Sequence, residues 1–238
     1  MAKERLDKLI ASTGRWSRRE VKTLVREGRV LVDGRIAGSA EEKYDAESCR
    51  IAVNGEELLL RRHTYVMLHK PAGVLSATED GRGRTVLDLL TPELRKIGVF
   101  PVGRLDKDTE GLLLLTDDGE LAHALLSPKK HVDKVYYARV SGRLTPEDCA
   151  AFEAGMTLGD GLECLPAGLE ILAAGETSEC LVTLREGKFH QVKRMLAARG
   201  KPVKYLKRLS MGSLRLDDTL APGEFRLLTA AEEAQLQR

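Results

Sequence analysis

The sequence predicts an α+β fold in two parts. Residues 1–60 read as a small module of a helix pair and short strands, and residues 64–238 as a mixed, largely antiparallel sheet with a few helices. Short β-branched and aromatic runs alternate with glycine turns, without the regular strand–helix rhythm of a parallel sheet and without a glycine-rich phosphate loop. The segment 57–63 ends in Arg61–Arg62–His63, a polar break between the two patterns. The stretch from Pro101 to Gly119 sets a polar loop, Gly103–Arg104–Leu105–Asp106, before the apolar run Leu112–Leu115.

In the first part, Leu6, Leu9 and Ile10 recur at helical spacing, and Gly14 follows as a stop. Ser17 and Glu20 have the spacing of a capping box, opening a helix with Val21, Leu24 and Val25 on one side and Arg18, Arg19, Lys22 and Arg26 elsewhere. Val30–Val32 and a strand near Ile36 flank the Asp33–Gly34 turn, and Ile51–Val53 leads into the Asn54–Gly55 hairpin signal.

In the second part, Thr64–Leu68 reads as a strand running into a sharp turn at His69–Lys70–Pro71–Ala72–Gly73. That places Lys70 at a strand end, as a surface cation or a phosphate contact. Glu79–Arg84 reads as a polar loop, either a plain surface loop or one able to close over a substrate, and Thr85 caps a helix over Val86–Leu90 that Pro92 breaks or restarts. Leu112–Leu115 is a strand ended by Asp118–Gly119; a helix over Glu120–Leu126 stops at Ser127–Pro128. His131–Val140 is a strand in which Tyr136 and Tyr137 face opposite sides. Thr145–Pro146–Glu147 opens another helix, and Leu169–Leu172 and Cys180–Leu184 are strands. Gly187 precedes a helix carrying Val192, Met195 and Leu196 on one stripe. Leu206–Leu209, Leu214–Leu216 and Phe225–Leu228 are late strands, and Thr229 with Glu232 caps a last short helix.

The 238 residues are 42% hydrophobic, enough for a packed core, and carry a net charge of +2. Charge is unevenly placed. Lys3–Arg35 holds ten basic against five acidic residues, and Arg185–Arg208 nine against one, Glu186. Two basic segments so far apart suit a single polyanion touching both. Cys49, Cys149, Cys164 and Cys180 show neither metal-ligand spacing nor a secreted disulfide pattern. The start Met1–Ala2–Lys3–Glu4–Arg5 has no apolar signal core, and no run is long enough to span a bilayer, so a cytoplasmic location is expected. No Ser–His–Asp order, metal triad or cofactor fingerprint is present. What remains is a carboxylate, Asp106, with a strand tyrosine and the basic group His190, Lys193 and Arg194. A carboxylate with a cationic partner suits nucleophilic or electrostatic catalysis.

Two resemblances follow from these residues. Arg5–Leu6–Asp7–Lys8, Ser17–Arg18–Arg19 and Gly28–Arg29–Val30–Leu31–Val32–Asp33–Gly34 resemble the RNA-binding domain named after small-subunit ribosomal protein four. That implies RNA contacts at Arg5, Arg18, Arg19, Lys22 and Arg26. Gly103–Arg104–Leu105–Asp106, with Thr109, Gly111–Thr116 and Gly119, resembles the signature of pseudouridine synthases. Lys70–Pro71–Ala72–Gly73, Lys134–Val135–Tyr136, Phe189–Met195 and Leu220–Thr229 match further family segments. The branch is similar to the small-subunit ribosomal RNA synthases (RsuA type) and covers nearly the whole chain.

The resemblance implies isomerisation of a uridine in 16S ribosomal RNA to pseudouridine, with no cofactor and no metal. It assigns Asp106 as the essential carboxylate, Tyr136 as the ring on the target base and Lys193 as the partner of Asp106, where many relatives have arginine. Lys70, Arg104, His190, Gln191 and Arg194 are the implied RNA contacts of the catalytic domain. The expected partner is structured ribosomal RNA or a small-subunit assembly intermediate, met by a monomer. Action on 23S ribosomal RNA, action on transfer RNA, and a non-catalytic assembly factor are the alternatives.

Overall fold

The computed structural model describes residues 3–46, 48–127 and 130–236. Met1 and Ala2, part of the start searched for a signal core, and Pro128, expected to close a helix, lie outside them. The chain forms two compact units. One holds residues 1–64 with 90–100 and 116–118; the other holds 65–89, 101–115 and 119–238.

In the first unit, β1 (Glu4–Arg5) leads into α1 (Leu6–Ala11), and α2 spans Arg18–Arg26. The capping box forms: Ser17 Oγ accepts the Glu20 N–H at 3.3 Å, and the Ser17 N–H donates to Glu20 Oε2 at 2.6 Å. Strands β2 (Val30–Val32), β3 (Arg35–Ile36), β5 (Ile51–Val53) and β6 (Glu56–Glu57) make an antiparallel sheet in the order β3-β2-β5-β6, while β4 (Lys43–Tyr44) pairs with β1. Its two hairpin turns have positive φ at both central residues, 49° and 80° at Asp33–Gly34 and 55° and 81° at Asn54–Gly55. That geometry is why the Asp–Gly and Asn–Gly pairs stand there. Leu6, Ile10, Val21, Val30 and Ile51 form the buried core of this unit. A later helix, α3 (Pro92–Ile97), belongs to it too; Pro92 restarts the chain as a first-turn residue behind the Thr91 cap.

The second unit is built on a nine-stranded sheet. Its strands are β7 (Tyr65–Lys70), β8 (Phe100–Pro101), β9 (Glu110–Thr116), β10 (Lys134–Ser141), β13 (Gly168–Ala173), β14 (Thr177–Leu184), β15 (Val203–Met211), β16 (Leu214–Arg215) and β17 (Phe225–Leu227). The order is β13-β14-β10-β15-β9-β7-β17, with β8 on β9 and β16 on β15. β15 and β9 run parallel; β13, β14, β10 and β15 pair antiparallel in turn, as do β7 and β17. A small pair, β11 (Met156–Thr157) and β12 (Glu163–Cys164), stands apart. The helices are α4 (Gly119–Leu126), α5 (Pro146–Ala154), α6 (Gln191–Ala198) and α7 (Ala230–Leu236).

β9 lies between β15 and β7, and Gly111–Thr116 is buried throughout, which is why it reads as an unbroken leucine run rather than an alternating one. β10 has solvent-facing positions and does alternate. Two local expectations change. His69 and Lys70 are the last residues of β7 rather than part of the turn, which begins at Pro71. Val86–Leu89 makes only a 3₁₀ turn: Thr85 closes it at once, donating from N–H and Oγ1 to Asp88 Oδ2 at 2.8 and 3.2 Å.

Candidate active site

Asp106 sits in the loop between β8 and β9, and three groups from the 70–76 segment hold that loop from beneath. The Ser76 hydroxyl donates to the Leu105 carbonyl at 3.0 Å and accepts the Leu105 N–H at 3.1 Å. The Gly73 N–H donates to the Lys107 carbonyl at 2.7 Å. The Lys70 ammonium lies among the carbonyls of Thr109 (2.9 Å), Pro71 (3.0 Å), Asp106 (3.1 Å) and Lys107 (3.2 Å). Lys70 is 0% exposed, so it is not the surface phosphate contact expected from sequence. It is a buried clamp on the backbone that carries Asp106. Burial pushes its ammonium down to about 8, while the Asp108, Asp106 and Glu110 carboxylates pull the other way.

Above the loop, α6 brings Lys193 to the carboxylates. Its Nζ is 2.8 Å from Asp106 Oδ2 and 2.5 Å from Asp108 Oδ1. Burial pulls this ammonium down, but its hydrogen bonds with both aspartates outweigh that and hold it above the ordinary lysine value. The same contact lowers Asp108, led by its hydrogen bond to Lys193. An arginine would fork onto two oxygens of one carboxylate; this lysine spreads its donors over two carboxylates. Asp108, two residues beyond Asp106, is the partner that sequence reading missed. Only the Asp-x-Asp spacing signalled it.

His190 precedes α6 in a left-handed conformation, φ 52° and ψ 30°, with Nε2 3.5 Å from Asp106 Oδ1. Its ring stacks on Phe189 with centroids 3.8 Å apart and planes 17° from parallel. Arg104 is exposed two residues before Asp106. Tyr136 is 8% exposed on β10, facing the same side as Lys134, Ala138 and Val140. Its register partner on β15 is Arg208, whose own partner on β9 is Gly111. Tyr136 therefore stands in one row with the start of the strand that leaves the Asp106 loop. Gly111 permits that row: at φ 106° a Cβ there would lie 2.2 Å from the Arg208 carbonyl oxygen. The Arg208 Nε donates to the Leu112 carbonyl at 2.8 Å, tying β15 to β9.

Two other expected RNA contacts of this domain are engaged within the protein. Gln191 is 3% exposed; its Nε2 donates to Glu186 Oε1 at 2.5 Å, and its Oε1 accepts the Lys188 N–H at 3.0 Å. It braces the turn before α6. Arg194 is half-buried against Asp160, 2.5 Å away. In the first unit, Arg18, Arg19, Lys22 and Arg26 are all exposed on α2. Lys22 shares Glu41 with Arg5, at 3.2 and 3.1 Å. Arg5 also forks onto the buried carboxylate of Asp7, at 3.0 and 2.8 Å, and that hydrogen bonding holds Asp7 below the usual carboxylate range. Arg5 is thus largely committed to folding this unit.

No helix among the described residues is long and apolar enough to cross a membrane.

Comparison with known proteins fits this arrangement. Residues 64–198 match the RNA pseudouridylate synthase family and residues 4–48 the S4 domain. A protein of Bacillus subtilis (strain 168) described as an uncharacterized RNA pseudouridine synthase, YtzG, is 50% identical, covering 96% of each chain. The ribosomal small subunit pseudouridine synthase A of Vibrio cholerae is 40% identical over 98% of this chain and 99% of its own. The ribosomal large subunit pseudouridine synthase B of Bacillus subtilis is 39% identical over 98% and 96%. A crystal structure of a pseudouridylate synthase superposes with a TM-score of 0.68 at 35% identity, covering 98% of this chain and 99% of that one. With an S4 domain at one end and the lysine-paired Asp106 loop in the matched region, the chain belongs to the RNA pseudouridine synthases.

Proposed function

We propose that this chain isomerises one specific uridine of small-subunit (16S) ribosomal RNA, with Asp106 as the catalytic carboxylate, Lys193 as its counter-ion and Tyr136 as the ring against the target base. The observation that supports this most is the Lys193 ammonium 2.8 Å from Asp106, over a loop held by buried Lys70. In the reaction the N1–C1′ bond breaks, the base turns, C5 bonds to C1′, the C5 proton is lost, and N1, freed from the ribose, takes up a proton. Atoms and electrons balance without any co-reactant. The target base must leave its stack to be reached. Asp106 starts as the anion, whether it adds to the ribose or the base or removes the ribose H2′. Lys193 supplies the opposing charge and fixes the direction of Oδ2. Tyr136 packs on the base and assists loss of the C5 proton.

Relatives named for the small subunit favour 16S RNA, free or in an assembly intermediate, reached by a cytoplasmic monomer whose residues 1–60 grip nearby RNA through Arg18, Arg19, Lys22 and Arg26. The relative named for the large subunit favours a second reading, the same chemistry on 23S RNA. A pseudouridine map of total RNA, by carbodiimide labelling and primer extension, compares cells with the gene intact and deleted. Loss of one 16S site is the expected result. Loss of a 23S site alone establishes the second reading, and no lost site contradicts both.

A further inference from the structure

Phe189 is 72% exposed, although burying a phenylalanine is normally favourable. It is not on a slack loop. The turn that presents it is tied by the Lys188 ammonium to Glu186 at 2.9 Å and to the Glu163 carbonyl, by the Gln191 amide to Glu186, and by the Lys188 N–H to Gln191. One ring face rests on His190, 3.8 Å away and nearly parallel, and the other is open. His190 in turn flanks Asp106, 3.5 Å from Oδ1. A rigid two-ring stack thus runs from the carboxylate outward into solvent. The segment Arg185–Arg208 around it carries nine basic residues against one acid.

From this geometry we infer that the open face of Phe189 is a stacking platform for an unpaired RNA base next to the target uridine, an inference that rests on the function proposed above. The platform is for a neighbour and not for the target itself. A base on the outer face of Phe189 lies one further contact, about 3.5–4.0 Å, beyond a ring that is already separated from Asp106 by His190. The nucleotide whose ribose or base meets Asp106 must sit inside that distance. An aromatic face accepts any base, so the platform holds a strand in place without reading its sequence.

The test uses the full-length protein and an oligouridine RNA carrying a single 2-aminopurine. Wild-type protein should quench the probe by stacking, Phe189→Trp should retain the quenching, and Phe189→Leu should lose it. Leucine keeps the bulk and apolarity without the π-face, and the position is exposed, so an unchanged melting temperature confirms folding. On ribosomal RNA, Phe189→Leu should raise KM roughly 5- to 150-fold, the range of one lost stack, with kcat little changed. Quenching and KM unchanged in Phe189→Leu would overturn the platform, as would a loss confined to kcat. Wild-type protein that quenches but forms no pseudouridine would refute the proposed function and, with it, the place of the stacked base beside a target uridine, leaving Phe189 only as an RNA-stacking face.

Discussion

Replacing Lys70 with methionine tests whether the buried ammonium holds the Asp106 loop. Methionine fills a similar volume but donates nothing, and four carbonyls lose their partner, three of them in the loop at Asp106, Lys107 and Thr109. Hydrogen bonds from a charged group contribute about 1.5–3 kcal/mol each, and bonds sharing one ammonium are not additive, so the gross loss is about 6 kcal/mol. Relief from burying the charge returns part of it. An ammonium lowered from 10.5 to about 8 recovers roughly 3 kcal/mol at neutral pH. The net destabilisation is about 2–4 kcal/mol. At about 2–4 °C per kcal/mol for a chain of this size, the melting transition should fall by roughly 5–15 °C. Activity should suffer further at temperatures where the variant is folded, because a displacement of about 1 Å at a reacting group costs about 10²-fold. Circular dichroism melts and tritium release from RNA labelled at uridine C5 measure the two effects. A melting temperature within about 2 °C of wild type, together with kcat within about twofold, would refute the clamp.

Three further outcomes follow from the same geometry. Lys193→Met should lower kcat by about 10²-fold or more while leaving RNA affinity near wild type, whereas Lys193→Arg, which keeps the charge, should retain most turnover; equal loss in both would mean that shape matters and charge does not. Replacing Arg18, Arg19 and Lys22 together by glutamine should weaken RNA binding and reduce the slope of log affinity against log salt by about 2, less than three full contacts because Lys22 is partly neutralised by Glu41; a filter-binding salt series with an unchanged slope would remove α2 from the RNA interface. Arg226 forks onto Glu232 at 2.8 Å through both terminal nitrogens, and this hydrogen bonding, led by Arg226, holds Glu232 at about 2 against an ordinary 4.5. A depressed carboxylate stabilises fully above its unfolded value and loses that contribution as pH falls through the folded one. Between about pH 4.5 and 2 the wild type should therefore lose on the order of 2–3 kcal/mol that Glu232→Gln does not, read as the difference between their acid-unfolding curves.

Local chemistry in the sequence carried much of the fold. The Ser17–Glu20 and Thr229–Glu232 boxes form as their spacing requires, with the Glu232 N–H donating to Thr229 Oγ1 at 3.3 Å and the Thr229 N–H donating to Glu232 Oε2 at 2.8 Å. The Asp–Gly and Asn–Gly turns fall where positive φ is needed. Such signals act over a few residues. The parallel contact of β15 with β9 does not: it joins Arg208 to Gly111 across nearly a hundred residues. The surroundings of Lys70 were hidden for the same reason, because three of the carbonyls it meets lie 36 to 39 residues downstream. The available hint was a lysine closing the buried run Tyr65–Lys70. Gln191 looked like a helix-surface residue because a helix start is usually exposed; here Glu186 and Lys188 fold back over it. At the site, the pairing of Lys193 with Asp106 was anticipated through resemblance, whereas the second carboxylate, Asp108, emerges only when α6 is placed over the loop.

The central claim is that Asp106, charge-paired with Lys193, carries out the chemistry. Its most direct test is purified Asp106→Asn beside the wild type on ribosomal RNA, measuring pseudouridine formed and RNA affinity in the same preparation. Asparagine keeps the shape and removes the negative charge. The account predicts affinity near wild type with no pseudouridine above background. Turnover by Asp106→Asn at a substantial fraction of the wild-type rate would contradict it.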